Sequence, residues 1–211
     1  LAVRTDMQKL EDIGALARAA LDAFGQIDVL FNNAGFGRLN WLDNLQPQSD
    51  IEAQIDTNTL GVIQLTRAVL PHMIARRQWQ IINMASAAGF VATPTYSVYA
   101  ASKFAVRGFS EALRREVGIY NIKVSLICPG SVATEFGEIA GFHRTTQVTM
   151  PDFLTLKAED VARAVLRLVR RPRRVLVIPW ILNFAVWSNA LIPGVLDWVM
   201  ERYFVRPERS A

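Results

Sequence analysis

The sequence predicts an α/β fold, a doubly wound parallel sheet, and two observations carry that prediction. Short apolar runs recur at Leu1 to Arg4, Ile27 to Asn32, Gln80 to Met84, Ile122 to Cys128 and Val175 to Ile178, with longer helical stretches between them. Strands alternating with helices indicate a parallel sheet with helical crossovers, and unbroken apolar runs suit strands buried on both faces. The 211 residues are 51% hydrophobic, enough for one full core. Residues 1–179 read as that domain, and 180–211 as an apolar helical extension that packs on it or lies at a membrane surface.

In chain order, Asp6 precedes Met7-Gln8-Lys9-Leu10-Glu11 and occupies a good helix N-cap position. The run Ile27 to Phe31 leads into Asn32-Asn33-Ala34-Gly35, and Asn58 falls in Asp56-Thr57-Asn58-Thr59-Leu60-Gly61. As an isolated residue, Asn58 reads as a helix-interior amide bonded to backbone. Ile81-Ile82-Asn83-Met84-Ala85-Ser86-Ala87-Ala88-Gly89 reads as a buried strand ending in small polar residues. Ser86 therefore stands at a strand's carboxyl end, where open parallel sheets bind ligands, although a hydroxyl there also caps the next turn. Beyond Tyr99, the stripe Val106, Phe109, Leu113 and Val117 gives a helix an apolar face toward core or partner, with Gly118 as its stop. The strand Val124 to Cys128 then leads into Pro129-Gly130-Ser131-Val132-Ala133-Thr134.

Chemistry concentrates in Tyr99-Ala100-Ala101-Ser102-Lys103. Tyr99 and Lys103 are four apart, so on a helix both emerge from one face, a turn apart. A cation within about 4–6 Å favours a phenolate, drawing the tyrosine down from its ordinary value of about 10 toward the range useful at neutral pH. Taken alone, such a pair is also what a solvated helix face looks like.

In residue type, order and spacing these segments resemble the short-chain dehydrogenase/reductase superfamily, from Thr5 to about Thr134. The resemblance implies a Rossmann-like sheet and hydride transfer between nicotinamide, NADP or NAD, and an alcohol/carbonyl pair. It implies that Tyr99 is the acid/base and that Ser86 holds the substrate oxygen. Lys103 would tune Tyr99 and bind the nicotinamide ribose, while Asn58 would position a water linking Lys103 to solvent. It further implies coenzyme contacts at Asp6, Met7, Asn32, Ala34, Gly35, Tyr99, Lys103, Pro129, Gly130, Val132 and Thr134. At Gly35 the absence of a Cβ lets the coenzyme approach, whereas Asn33 reads as a structural amide. A homodimer or homotetramer is implied as well, paired through the helix after Tyr99 and the one near Asn58 to Met73.

One family element is missing: the chain contains no Thr-Gly-x-x-x-Gly-x-Gly turn of the kind that cradles a pyrophosphate. It opens on Leu1, at the end of what would be the family's third strand, so the fold is expected to be N-terminally incomplete and the sequence a piece of a longer protein. The segment that discriminates the 2′-phosphate is missing with it, and NADP is the expectation ahead of NAD. The competing reading is a non-catalytic scaffold of the same fold.

The 23 Lys and Arg against 19 Asp and Glu give +4. Arg170-Arg171-Pro172-Arg173-Arg174 reads as a solvated loop, with contact to acidic lipid as the alternative. The absence of a basic stripe interleaved with aromatics argues against nucleic acid. One cysteine and two distant histidines argue against a disulfide framework and a metal site. From Val175 through Leu196 there is no charged residue, but Pro179 and Pro193 interrupt the run. It reads as a strand followed by a short apolar helix. Trp180, Trp187, Trp198 and Tyr203 suit a membrane interface, or else a substrate pocket or subunit contact. The greasy tail points to a lipophilic substrate, and the stretch Phe136 to Leu154, with Phe136, Phe142, Met150 and Phe153, sits where the family resemblance implies a mobile substrate cover. The expected setting is cytoplasmic, with peripheral membrane contact through the tail.

Overall fold

The computed structural model describes residues 1–141 and 154–209. Strands β1 (Val29–Asn32), β2 (Trp79–Met84), β3 (Ile122–Pro129) and β4 (Val175–Ile178) form one parallel sheet, side by side in that order. The register pairs Leu30 with Ile81, Ile81 with Val124, and Ile127 with Leu176. Helices fill the crossovers: α1 (Leu10–Phe24) before β1, α2 (Gly61–Arg76) before β2, α3 (Ser97–Val117) before β3 and α4 (Ala158–Arg170) before β4. A shorter parallel ladder joins Val132–Ala133 to Leu156–Lys157.

Successive strand side chains point to opposite faces, so neighbouring isoleucines serve different cores. Ile81 packs with Leu30, Ile122 and Val124 against Ile13 and Ala17 of α1, Leu65, Val69 and Met73 of α2, and Leu113 and Val117 of α3. Ile82 and Ile127 face the other way, onto Ala164 and Leu168 of α4. Both faces of the sheet are thereby covered, and the stripe on α3 turns to core rather than to a partner.

Three local expectations are corrected. Residues 1–4 form no strand, because extended backbone becomes a strand only through a ladder and none of the described strands pairs with them. Asp6 is not the N-cap of α1, which starts at Leu10 after Lys9; its Oδ1 instead accepts the Gln8 N–H at 3.0 Å, closing a turn ahead of the helix. Gly118 does end α3, as its C-cap, but not by a left-handed turn. It is right-handed and opens a tighter turn over Gly118–Tyr120, and Asn121 takes the positive φ of 59°.

The tail forms more than one short helix: α5 (Leu182–Leu191) is followed by α6 (Pro193–Met200), because Pro193 lacks an N–H and begins the second at its first turn, and α6 is carried on by widened turns over Glu201–Val205 and a last turn at Arg206–Arg209. It folds back on the domain. Leu182 packs on Ala85, Val106, Cys128 and Val177, the Asn189 amide donates to the Phe90 carbonyl at 3.0 Å, and Phe204 is buried. Arg209 bonds both oxygens of Asp43, at 2.8 and 3.1 Å, and lies 4.2 Å from the Trp41 ring centroid. No helix of the described residues is long and apolar enough to cross a membrane. Phe142, Met150 and Phe153 of the expected cover lie outside the described residues, as does His143.

Candidate active site

The carboxyl ends of β1, β2 and β3 and the first turns of α3 converge at one edge of the sheet. β2 extends one bond past Met84, where the Ala85 N–H donates to the Ile127 carbonyl at 2.8 Å. Ser86 is fully extended and begins a tight turn over Ala87–Gly89, its Oγ accepting the Ala88 N–H at 3.2 Å. The serine therefore caps this turn, its hydroxyl also donates to the Pro129 carbonyl at 3.5 Å, and it lies near enough to Tyr99 to act on the phenol.

Tyr99 and Lys103 share the inner face of α3, 7% and 5% exposed. Lys103 Nζ donates to the Met84 carbonyl at 3.3 Å and lies 5.5 Å from the centroid of the Tyr99 ring. The expected lowering of the phenol does not occur: burial pushes Tyr99 up to about 12, and the Ser86 hydroxyl beside it only partly opposes this. Burial pulls Lys103 down to about 8, the direction expected of a cation removed from water. The buried Cys128 thiol is pushed up to about 12 by the same cause.

Asn58 is fully buried in widened helical turns, Asp56–Leu60, that lead into α2. Such irregular turns re-aim side chains within a helix. Its amide is committed to structure: Oδ1 accepts the Phe36 N–H at 3.0 Å, and Nδ2 donates to the Phe36 carbonyl at 2.8 Å and to Ser102 Oγ at 3.2 Å. Ser102 donates in turn to the Tyr99 carbonyl at 2.7 Å. Gly35 lies against this group. A Cβ there would come within 2.8 Å of Asn58 Oδ1 and 3.5 Å of Lys103 Nζ, so the glycine allows exposed backbone to sit directly over Lys103.

Of the two asparagines at the end of β1, it is Asn32, its last residue, whose side chain is the structural amide expected of Asn33. Asn32 has the parity of Leu30 and points into the domain, where its Nδ2 donates to Asn83 Oδ1 at 2.7 Å and to Thr66 Oγ1 at 3.0 Å. Asn33 and Ala34 are exposed at the open edge beside Gly35. Pro129 ends β3, the Gly130 N–H donates to the Ile178 carbonyl at 2.8 Å, and Val132 joins the short ladder. Thr134 Oγ1 accepts the Phe136 N–H at 3.3 Å, and with Gly35, Phe36, Phe136 and Ile139 it lines an open cleft of about 420 Å³. Met7 lies against the start of α2, where Gly61 leaves room for its carbonyl.

Sequence reasoning missed Ser102 and Gln54, and it named Phe136 without its partner. Ser102 ties Asn58 to α3, and it was visible inside the Tyr99–Lys103 segment. Phe136 packs on the Tyr99 ring at 5.5 Å between centroids, a contact that sequence spacing does not announce. Gln54, fully buried one turn before Asn58, carried only the signal of a polar residue in phase with Asn58.

A sequence profile of short chain dehydrogenase matches residues 1–141. A dehydrogenase/reductase SDR family protein 7-like of Anopheles gambiae is 33% identical over 202 residues, 93% of this chain and 63% of the relative, so the chain spans less than two thirds of that protein's length. A 3-ketodihydrosphingosine reductase of Bacteroides thetaiotaomicron is 45% identical over 112 residues, 53% of this chain and 41% of the relative. Among solved structures, a Burkholderia phymatum short chain dehydrogenase/reductase in complex with NAD superposes with a TM-score of 0.81 at 27% identity, covering 93% of this chain and 76% of that one. A serine dehydrogenase complexed with NADP+ gives 0.73 at 32% identity, covering 82% and 73%.

Proposed function

The chain belongs to the short-chain dehydrogenase family, and from that premise we propose that it is an oxidoreductase interconverting an alcohol with a ketone or aldehyde, with NADP, or else NAD, as coenzyme. The observation that carries this reading is the convergence of half-buried Ser86 with buried Tyr99 and Lys103 at the sheet edge where Gly35 leaves bare backbone over Lys103. The nicotinamide coenzyme supplies or accepts the hydride when bound. The residues present suit it: an exposed Asn33-Ala34-Gly35 backbone, a cation beneath it and the cleft running to Thr134.

Tyr99 holds its phenolic proton up to about pH 12, so it is loaded to donate to a carbonyl oxygen in the reducing direction. Ser86, which stands beside Tyr99, orients that oxygen toward the tyrosine hydroxyl. Lys103 remains charged below about pH 8 and favours negative charge developing on the tyrosine as its proton leaves. In the oxidising direction the same groups act in reverse.

The surroundings of Tyr99 favour a lipophilic substrate. Leu39, Ala140, Ala88, Tyr96 and Phe136 pack around it, and a long-chain ketone of the kind named for the 3-ketodihydrosphingosine reductase fits that chemistry. Ala101, Phe104, Ala105, Gly108 and Ala112 leave the outer face of α3 apolar and exposed, which supports pairing with a second copy. The aromatic outer face of the tail supports peripheral contact with a membrane from the cytoplasm.

Fluorescence titration with NADPH and NADH, on this chain and on any longer product of its gene, tests the premise. Binding identifies the preferred coenzyme, and no binding by either protein sinks the oxidoreductase reading. Tyr99→Phe tests the chemistry, with an expected loss of about 10²–10⁴ in kcat; carbonyl reduction near the parent rate would remove Tyr99 from the acid/base role.

A further inference from the structure

Residues 36–38 are held by two side-chain amides. Asn58 binds both backbone groups of Phe36, and Gln54 repeats the pattern two residues along: its Oε1 accepts the Arg38 N–H at 2.9 Å and its Nε2 donates to the Arg38 carbonyl at 3.4 Å. In extended backbone, residues i and i+2 direct their N–H and C=O to the same side, where a neighbouring strand would pair with them. A carboxamide offers the donor and acceptor of a peptide group, so Gln54 and Asn58 take the place of that strand. Gln54 is 0% exposed, and its Nε2 also donates to the Asp50 carbonyl. Every polar group of this buried side chain is thus directed at backbone.

The other edge of the same loop is bonded to the cover of the site. The Leu39 N–H donates to the Ala140 carbonyl at 2.9 Å, and the Arg38 guanidinium donates to the Ile139 carbonyl. Ala140 packs with Leu39 and Tyr99. Upstream, the loop begins at Gly35, over Lys103. A displacement of Arg38 therefore reaches Gly35 on one side and the Phe136–Ile139 cover on the other.

We propose that Gln54 is a positioning residue, fixing through the Arg38 backbone both the coenzyme-facing turn at Gly35 and the Phe136–Ile139 cover over Tyr99. The role rests on the oxidoreductase reading above. Gln54 touches no reacting atom; it acts through the loop.

Gln54→Met keeps the volume and removes the hydrogen bonds. In the full-length gene product it is expected to speed amide hydrogen exchange across residues 36–39 relative to β2 and to weaken binding of the preferred coenzyme, NADPH or NADH, by about tenfold, as loss of two or more buried hydrogen bonds requires. Gln54→Glu provides a second readout should the methionine variant fold poorly. Its protonated carboxyl keeps the acceptor and one of the amide's two donors, whereas the carboxylate only accepts. Relative to the parent protein at each pH, its coenzyme affinity is expected to be near normal at low pH and to fall as the carboxyl ionises. Unchanged exchange at 36–39 in Gln54→Met overturns the proposal, as does unchanged coenzyme affinity or a Gln54→Glu affinity ratio flat with pH. A parent protein that binds neither coenzyme overturns the oxidoreductase reading itself and this role with it.

Discussion

Lys103 Nζ lies 5.5 Å from the centroid of the Tyr99 ring and donates to the carbonyl of Met84. The ammonium is thus anchored to β2 over the face of the ring, while burial dominates the phenol. The two groups are pushed in opposite directions, Tyr99 to about 12 and Lys103 to about 8.

A pH profile follows from this arrangement. Lys103 is charged below about 8 and loses its proton above it, whereas Tyr99 keeps its proton to about 12. For carbonyl reduction, kcat/KM is expected to hold up to about pH 8 and then fall with a slope set by one ionisation, while the donor remains protonated. Removing the charge by Lys103→Met should abolish that alkaline limb and lower the plateau. A parent profile still level at pH 10 would show that the charge on Lys103 is not needed.

Gly35→Ala should disable the site without unfolding the protein. The added methyl would lie 2.8 Å from Asn58 Oδ1, itself fixed by Phe36, so the turn must move away from Lys103. Overpacking of this kind costs about 1–3 kcal/mol, and coenzyme affinity should fall with it. Isothermal titration beside thermal unfolding checks both; affinity equal to the parent's would mean that the Gly35 backbone does not face the coenzyme.

How much of this was legible in sequence depended on whether the cause was local. Strand parity fixes Ile81 and Ile82 to opposite cores, and the four-residue step from Tyr99 to Lys103 fixes their shared face; both are visible in the letters. The assignment of Asn32 and Asn33 was not, because one residue of register decides which points inward and the end of β1 sets that register. Gly118 offered a left-handed stop that Asn121 supplies, since a tighter turn carries the chain a few residues further. Gln54 lacks a motif because its partner, the Arg38 backbone, is brought to it by tertiary folding.

The asparagine pair predicts a stability effect. Asn83 accepts from Asn32 at 2.7 Å and donates to Ser110 Oγ at 2.8 Å, fully buried between β2 and the helices. Asn83→Leu leaves these partners facing an apolar side chain, at about 1–3 kcal/mol for each group left without a bond. Denaturant unfolding should show a lowered midpoint with an unchanged slope. Stability equal to the parent's would mean that Asn32 and Ser110 find other partners.

The tail and the arginine-rich loop offer two surfaces to a membrane, and the sheet separates them. Arg174 leads into the start of β4 and the tail leaves from its end, so at about 3.3 Å per residue the length of the strand lies between the two surfaces. Trp180, Phe184 and Trp187 stack in sequence, 5.8 and 5.7 Å between ring centroids, and are 69%, 54% and 57% exposed. They belong to a run without charge, so binding through them rests on apolar area and should resist salt, whereas binding through Arg170, Arg171, Arg173 and Arg174 should fade as the screening length shortens. Co-sedimentation with vesicles of mixed neutral and anionic lipid, at low and high salt, separates the two. Contact through the tail predicts pelleting that persists at high salt and is lost when the three aromatics are replaced by serine. Pelleting abolished by salt would move the contact to the arginines, and no pelleting at low salt would exclude both surfaces.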